Sequence, residues 1–150
     1  PLVLEAGIPL SATISVAFGD PYDGDVDIAV VGNLAAQAQR AGVNELALGD
    51  TIGVATPWDV RARIERVRME APDVFLRMHF HDTRGAALAN VAAAVDAGVD
   101  VIDASCGGID TGLDLGRLIT TAHWLEKVLQ HPVSSSLSRA GAFPPTKVPA

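Results

Sequence analysis

Cysteine, basic residues and long apolar runs are scarce in this sequence. The single cysteine, Cys106, excludes an internal disulfide framework and is typical of a reducing compartment such as the cytoplasm. A formal net charge of −7 and a sequence pI of about 4.8 argue against a nucleic-acid partner, because phosphate binding requires a basic face. We therefore expect a cytoplasmic protein that does not bind nucleic acid.

No apolar run approaches the roughly 20 residues that a membrane helix needs, and no charged-then-apolar leader opens the sequence. We therefore expect no membrane partner. What is present, 49% hydrophobic residues with a mean hydropathy of +0.28, is typical of a globular protein. The length of 150 residues suits one ordinary domain.

Segments with strand character alternate with segments of helix character along the chain. β-branched and apolar runs predict strands at residues 11–18, 45–48, 74–81 and 101–105. Apolar residues at helical spacing, preceded by capping residues, predict four helices: one from Asp25 or Asp27 to Gly42, one capped by Thr56, one over residues 85–97, and one over about residues 114–130.

Finer predictions concern the surroundings of these elements. Residues 22–25 are expected to form a loop, and the serine- and proline-rich residues 131–150 a loose tail. In the helix over residues 85–97, the expected buried side chains are Leu88, Val91, Ala92 and Val95.

The alternation predicts an α/β fold with a parallel sheet and right-handed crossover connections. Two helix-to-strand junctions repeat the same letters, AGV at 41–43 and again at 97–99, and both place glycine where a helix ends. In barrels and open sheets of this kind, chemistry occurs at the C-terminal ends of the strands. Polar residues collect at those predicted ends, namely Asp20, Asp50, Thr51, residues 79–83, Ser105 and Cys106.

His79 and His81 stand one residue apart at the end of the third predicted strand. Because successive strand side chains point to opposite faces, the two imidazoles share a face, about 6 to 7 Å apart at Cα. That separation lets them converge on one metal ion, with a carboxylate from another strand end and water completing the site. The alternative is a polar strand end without metal, and the spacing by itself leaves both interpretations open.

Four blocks of sequence resemble motifs of 3-hydroxy-3-methylglutaryl-CoA lyase and its lyase-like relatives. The blocks are SVAFGDPYDGDV at 15–26, LGDTIGVATP at 48–57, HFHDTRGAALAN at 79–90 and the DAS turn at 103–105, and their order and spacing match as well. The resemblance implies a (β/α)8 barrel of the TIM-barrel family. Residues 1–130 would then form about the C-terminal four βα units, followed by the tail.

The same resemblance implies a carbon–carbon lyase that cleaves a hydroxyacyl-CoA to acetyl-CoA and a keto acid in a metal-assisted retro-Claisen reaction. It implies that His79 and His81 bind a divalent metal, Mg²⁺ or Mn²⁺, and that Asp50 and His79 are catalytic. Asp50, Thr51 and Thr83 would contact the acyl-CoA substrate. A structural alternative stands beside the role of Asp50, which could instead cap the turn that follows it. Thr83 could likewise be a helix cap.

Some positions depart from the family pattern. The chain passes directly from Gly108 to Ile109, where the family inserts a glycine-rich loop with its catalytic cysteine and an asparagine ligand. Cys106 precedes this gap and is not assigned the catalytic role. Asp20 and Arg84 replace residues common in relatives, which puts the acyl specificity in question. The resemblance places the family's first-strand aspartate ligand and a neighbouring arginine in a part of the barrel that would precede Pro1.

Alternatives to the lyase are a related Claisen-condensing or aldolase barrel enzyme and an inactive half-barrel assembly module. Four strands alone would leave two sheet edges and an inner face uncovered. We therefore expect a homo-oligomer, a dimer, and expect that the isolated chain is not a fully active monomer.

Overall fold

Parallel strands and helices alternate in the computed structural model, which describes residues 5–103 and 115–130. The chain forms two units that divide after Asp103, and each is described by itself. The strands of the first unit are β1 (Ser11–Ile14), β2 (Gly19–Asp20), β3 (Gly24–Asp25), β4 (Glu45–Asp50), β5 (Phe75–Phe80) and β6 (Val101–Ile102). Its helices are α1 (Ile28–Arg40), α2 (Pro57–Glu70) and α3 (Ala87–Asp96), and the second unit contains α4 (Leu115–Leu129).

The sheet has the strand order β1-β4-β5-β6, and every neighbouring pair is parallel. A helix connects each of these neighbouring pairs along the chain, since parallel strands cannot be joined by a tight turn. The predicted α/β sheet is thereby confirmed. Its register sets Gly49 beside His79, so the polar ends of β4 and β5 lie side by side.

One face of the sheet packs against the helices and forms the core. Leu46, Leu48, Leu76 and Met78, all fully or almost fully buried, alternate along β4 and β5 with residues of the other face. The helix side chains that meet them include Val31, Val60, Ile64 and Val67. Burial of each such aliphatic side chain stabilises the fold by about 1.5–3 kcal/mol.

Helix starts follow the capping chemistry of the sequence. The Thr56 hydroxyl accepts from the Asp59 N–H at 3.3 Å while the Asp59 carboxylate accepts from the Thr56 N–H at 3.0 Å, with Pro57 opening α2. At α1, Asp27 rather than Asp25 is the cap, and its carboxylate accepts from the Ala29 N–H at 2.8 Å.

The segment after β1 differs from the prediction. The first strand ends at Ile14, and β2 pairs antiparallel with β3 in a small hairpin where residues 22–25 were expected to be a loop. The Asp20 carboxylate accepts from the Tyr22 and Asp23 N–H groups at 2.8 and 3.0 Å, which closes a turn. Local side-chain capping thus brings two short segments into register without any strand-like sequence.

The buried face of α3 also differs. Leu88 and Val95 are 62% and 61% exposed, and the buried residues are Asn90, Ala93 and Ala94. The Asn90 amide donates to the Ala55 carbonyl at 2.9 Å, so α3 presents small and polar side chains to the start of α2. The prediction was wrong because hydrophobicity marked one face, whereas close packing selected the face with small side chains.

The second unit contributes α4 within the predicted helix over residues 114–130, and its Trp124, Val128 and Leu129 side chains are exposed. None of the helices in the described parts of the chain is long and apolar enough to cross a membrane. The predicted tail at residues 131–150 and the end of the fourth predicted strand, at Ser105, lie outside the described residues.

Candidate functional site

The face of the sheet opposite the helices is polar and lines an open cavity of about 390 Å³. Its strand residues alternate with those of the core, which is the expected two-residue period. Near the C-terminal strand ends, the lining residues are Ser15, Gly49, Thr51, His79, His81 and Asp103; Glu45 and Arg77 lie further toward the other end. This places polar side chains where parallel α/β proteins carry their chemistry.

His79 and His81 converge, as their spacing predicted. Their Nε2 atoms lie 3.2 Å apart, and the rings meet edge to face with centroids separated by 4.9 Å. The other nitrogen of His79, Nδ1, lies 3.1 Å from Asp103 Oδ2. Since a carboxylate only accepts, Nδ1 carries the hydrogen, and the neutral ring then has its lone pair on Nε2, facing His81.

The pair fits a metal ion as two adjacent ligands. Two imidazole nitrogens bound to one cation at about 2.0–2.1 Å lie about 3.0–3.4 Å apart, and the observed separation of 3.2 Å falls in that interval. Within residues 5–103 and 115–130, no group of three or more histidine, cysteine or acidic side chains is arranged to hold a metal. If a metal binds here, the described residues would supply two of its ligands and not a complete coordination shell.

Asp103 is the acidic residue at this site that the sequence motif contained but that received no role. A carboxylate from another strand end was expected as a third ligand, and Asp103 follows β6 as that expectation requires. It contacts His79 on Nδ1, the side of the ring away from His81, so it orients the imidazole instead of joining the two Nε2 atoms.

Arg77 links this aspartate to a second carboxylate on the neighbouring strand. Its Nη1 donates to Asp103 at 3.0 Å and its Nη2 donates to Glu45 at 2.8 Å. The hydrogen bond from Arg77, followed by one from the Ser11 hydroxyl, holds the pKa of Glu45 below its ordinary value. The hydrogen bond to Glu45 raises the pKa of Arg77 in turn.

Asp50 lies on the opposite face of β4, so the structure does not bring its carboxylate to the histidines. It is 1% exposed, and its two carboxylate oxygens accept from the N–H groups of Val54 at 2.8 Å and Ala55 at 3.1 Å. This geometry is that of a cap for the turn after β4, which was the structural alternative for Asp50. The catalytic and substrate-binding roles predicted for Asp50 find no support here, because strand alternation turns it toward the helices.

Thr51 and Thr83 both lie near the histidine pair. Thr51 lines the cavity, and its hydroxyl donates to the Ser15 carbonyl. Thr83 lies against the turn of Gly53, where an added Cβ would be 2.8 Å from both the Thr83 hydroxyl and the His81 carbonyl oxygen. With φ at +64°, this position requires glycine both for its backbone conformation and for the close approach.

The loop after β5 is tied to its surroundings by two charged residues. The Asp82 carboxylate accepts from the N–H of Ala87, the first residue of α3, at 2.9 Å. Arg84 Nη1 donates to the carbonyls of Ile52 and Gly53 at 2.8 and 3.1 Å. The residue that departed from the family pattern therefore joins two loops of the site. Cys106 lies outside the described residues.

Comparison with known proteins supports the resemblance of the motifs. A family model described as HMGL-like matches residues 9–128. The hydroxymethylglutaryl-CoA lyase YngG of Bacillus subtilis is 34% identical over 158 residues, covering 87% of this chain and 53% of that protein. The (R)-citramalyl-CoA lyase of Chloroflexus aurantiacus is 31% identical over 169 residues, covering 95% of this chain and 53% of that protein.

Solved structures agree with the fold. The crystal structure of hydroxymethylglutaryl-CoA lyase from Pseudomonas aeruginosa superposes with a TM-score of 0.81 at 32% identity, covering 93% of this chain and 55% of that one. An Acinetobacter HMG-CoA lyase in complex with coenzyme A and 3-methylmalate superposes with a TM-score of 0.76 at 28% identity, covering 92% of this chain and 54% of that one. The fold class is thus α/β of the TIM-barrel type, as predicted, with this chain covering part of the barrel.

The chain spans about half the length of the curated relatives it matches. The alignment with the Bacillus subtilis protein runs over 158 positions but uses 87% of the 150 residues, about 131, so about 27 positions of that relative have no counterpart here. The sequence predicted such a gap between Gly108 and Ile109, which lie outside the described residues. Since the family match covers most of the chain and two relatives above 30% identity do so as well, this chain belongs to the HMGL-like family.

Proposed function

We propose that this chain is part of a carbon–carbon lyase that cleaves a 3-hydroxy-3-methylglutaryl-CoA-like thioester to acetyl-CoA and a keto acid. Relatives that carry lyase names, one with a different acyl group, support the reaction class more than any single substrate. A related structure that holds coenzyme A supports an acyl-CoA ligand. The activity belongs to a protein that also supplies the remaining strands of the barrel.

The observation that carries the proposal is the convergence of two imidazoles at the C-terminal ends of the parallel strands. We propose that His79 and His81 hold a divalent cation, Mg²⁺ or Mn²⁺, through their Nε2 atoms. Such a cation, when bound, supplies Lewis acidity that favours ionisation of the substrate hydroxyl and stabilises enolate charge. Asp103 keeps the His79 ring oriented for this role.

The cleavage also requires a group that accepts the hydroxyl proton as the carbon–carbon bond breaks and a keto acid leaves. The electron pair of that bond passes to the thioester enolate, which is protonated to acetyl-CoA. Asp50 is turned away from this face, and His79 has one nitrogen that Asp103 does not occupy. That nitrogen can bind a cation or accept a proton, but not both at once.

Thr51 and Thr83 are proposed to contact the substrate. The hydroxyl hydrogen of Thr51 is committed to the Ser15 carbonyl, so this residue offers the substrate only an acceptor. The hydroxyl of Thr83 lies against the Gly53 turn, next to the His81 backbone, and we propose that the acyl group contacts Thr83 at this edge of the site. Replacement of Thr83 by valine should therefore raise KM for the acyl-CoA without changing metal binding.

The test is keto acid release from 3-hydroxy-3-methylglutaryl-CoA and from citramalyl-CoA in the presence of Mg²⁺ or Mn²⁺. We expect His79→Ala and His81→Ala each to lose at least about a hundredfold in kcat/KM, because each removes a ligand of the proposed cation and even loss of an outer hydrogen-bond partner costs about 10- to 100-fold. His123→Ala, which changes a histidine of α4, is the control and should retain activity. Equal activity in all three variants would reject the assignment.

Assays with and without the CoA thioester separate the lyase from the alternatives. Condensation of acetyl-CoA with a keto acid would favour a Claisen enzyme, and cleavage of a CoA-free hydroxy acid would favour an aldolase. A protein that binds Mn²⁺ weakly and catalyses none of these reactions would favour the assembly module.

We also propose that the protein is a cytoplasmic homodimer, as the sequence led us to expect. The single cysteine supports a reducing compartment. Light scattering after size exclusion would measure the assembly, and a monodisperse monomer with full activity would contradict the dimer.

A further inference from the structure

A continuous series of hydrogen bonds crosses the cavity face of the sheet from β1 to the histidine pair. The Ser11 hydroxyl donates to Glu45 at 3.0 Å, and Arg77 then connects Glu45 to Asp103 with bonds of 2.8 and 3.0 Å. Asp103 holds His79 Nδ1 at 3.1 Å. Side chains on β1, β4 and β5 and the one of Asp103, which follows β6, are thus linked in series to one ring nitrogen.

We propose that Arg77, anchored by Glu45, is a positioning residue for His79. It holds the Asp103 carboxylate in the one orientation that keeps the hydrogen of His79 on Nδ1 and its lone pair on Nε2. This inference rests on the proposed function, which gives His79 Nε2 its role, but it concerns a residue outside the matched motifs.

Strand register explains why an arginine at this position can reach both carboxylates. Arg77 lies opposite Ala47 on β4 and Val101 on β6, whose side chains are smaller. Glu45 precedes Ala47 by two residues and Asp103 follows Val101 by two, so both lie on the same face, diagonally from Arg77. The planar fork of the guanidinium spans this diagonal with Nη1 and Nη2, which the ammonium of lysine does not match.

The two carboxylate oxygens of Asp103 have different partners. Oδ1 accepts from Arg77, and Oδ2 faces His79. The last torsion of an aspartate is broad, so a carboxylate with a single partner turns easily. With Arg77 bound, rotation of Asp103 would break a charge-assisted bond, and the carboxylate therefore stays aligned with the imidazole.

Arg77 is not placed for stability alone. Its Nε is buried and has no hydrogen-bond partner among the described residues, which is unfavourable for folding. An apolar side chain of similar length would avoid that cost. Arginine is favoured at position 77 because Nη1 and Nη2 donate hydrogen bonds to Asp103 and Glu45.

Arg68 provides a matched control. It pairs with Asp100 at 2.6 Å, and its side chain and that of Asp100 are 30% and 28% exposed, against 35% and 36% for Arg77 and Asp103. Its remaining contacts are the carbonyls of Val74 and Gly98, not side chains of the site. Loss of Arg68 removes a similar ion pair without touching the Asp103 carboxylate.

The experiment reads the tautomer of His79 from long-range ¹H–¹⁵N correlation spectra of the metal-free protein, for the native chain, Arg77→Met, Arg77→Lys and Arg68→Met. We expect the Nδ1–H tautomer to dominate in the native chain and in Arg68→Met. In Arg77→Met the Nε2–H tautomer should become populated, and in Arg77→Lys the change should be intermediate. If Arg77→Met does not fold, the His79 tautomer of Arg77→Lys is compared with that of the native chain instead.

Titration with Mn²⁺ supplies the second readout. Arg77→Met should weaken binding by about tenfold, the lower end of what removal of an outer hydrogen-bond partner costs, and Arg68→Met should not weaken it. An unchanged His79 tautomer in a folded Arg77→Met protein would overturn the inference. If the native chain binds no Mn²⁺, the metal assignment in the proposed function fails, while the tautomer comparison still decides the role of Arg77.

Discussion

The two faces of the parallel sheet satisfy their polar groups in different ways. On the helix face, Asp50 is enclosed, and backbone N–H groups of the following turn occupy both of its oxygens. On the cavity face, Glu45, Arg77, Asp103 and His79 bind one another through side chains and remain partly exposed. Backbone partners make a polar group part of the fold, whereas side-chain partners leave it free to take part in chemistry.

The sharpest test of this difference uses neighbours on β5. Met78→Ala should lower the free energy of unfolding by about 4 kcal/mol, because it removes a fully buried side chain from the core. His79→Ala, one residue further, should change it by less than about 0.5 kcal/mol while abolishing activity. Urea unfolding and keto acid release measure the two effects, and similar losses of stability would contradict the distinction.

A second test concerns the turn that separates the faces. Gly53→Ala should lower the free energy of unfolding by about 3 kcal/mol, because a positive φ is combined with a Cβ 2.8 Å from the His81 carbonyl oxygen. Gly98→Ala is the control, since its φ is +75° but nothing lies within 4 Å of the added atom, and about 1 kcal/mol is expected. Equal costs in urea unfolding would show that the close approach is unimportant.

Asp50 allows a smaller but more specific test. Asp50→Ala should lower stability by about 2 kcal/mol, since it leaves the N–H groups of Val54 and Ala55 without partners. Mn²⁺ affinity of the folded variant should stay within about twofold of the native value, because its carboxylate faces the helices. Asp103→Asn should change the free energy of unfolding little but should weaken Mn²⁺ binding, because Asp103 contacts His79. Loss of keto acid release in a folded Asp50→Ala variant that retains its Mn²⁺ affinity would restore the catalytic and substrate-binding roles predicted from the sequence.

The smallest expected effect is on the pH dependence of stability. The pKa of Glu45 is lowered in the folded state, mainly by the hydrogen bond from Arg77. The ionised Glu45 carboxylate therefore stabilises the folded chain at pH values above its ordinary pKa of 4.5. That contribution is lost as the pH falls through the lowered value. The urea midpoint of Glu45→Gln should therefore decline less than that of the native chain below about pH 4.5. Parallel curves for the two proteins would show that the ion pair does not contribute.

Prediction from the sequence succeeded where the signal was local. The strands β4 and β5, the Thr56 cap and the convergence of His79 and His81 all follow from periodicity or short-range hydrogen bonding. The burial of Leu88 and Val95 was predicted wrongly, because the phase of α3 depends on close packing with α2. Arg77 gave no signal, since its partners come from strands 32 and 26 residues away in sequence.

The order of residues alone determined the alternation of strands and helices, the family to which the chain belongs and the shared face of the two histidines, because side-chain period and capping act within a few residues. Only the tertiary structure decided that Asp50 is a buried turn cap, that Asp103 orients His79 and that Arg77 joins two carboxylates. Strand register and helix packing bring distant residues together, and nothing in a local pattern specifies which side chains then meet.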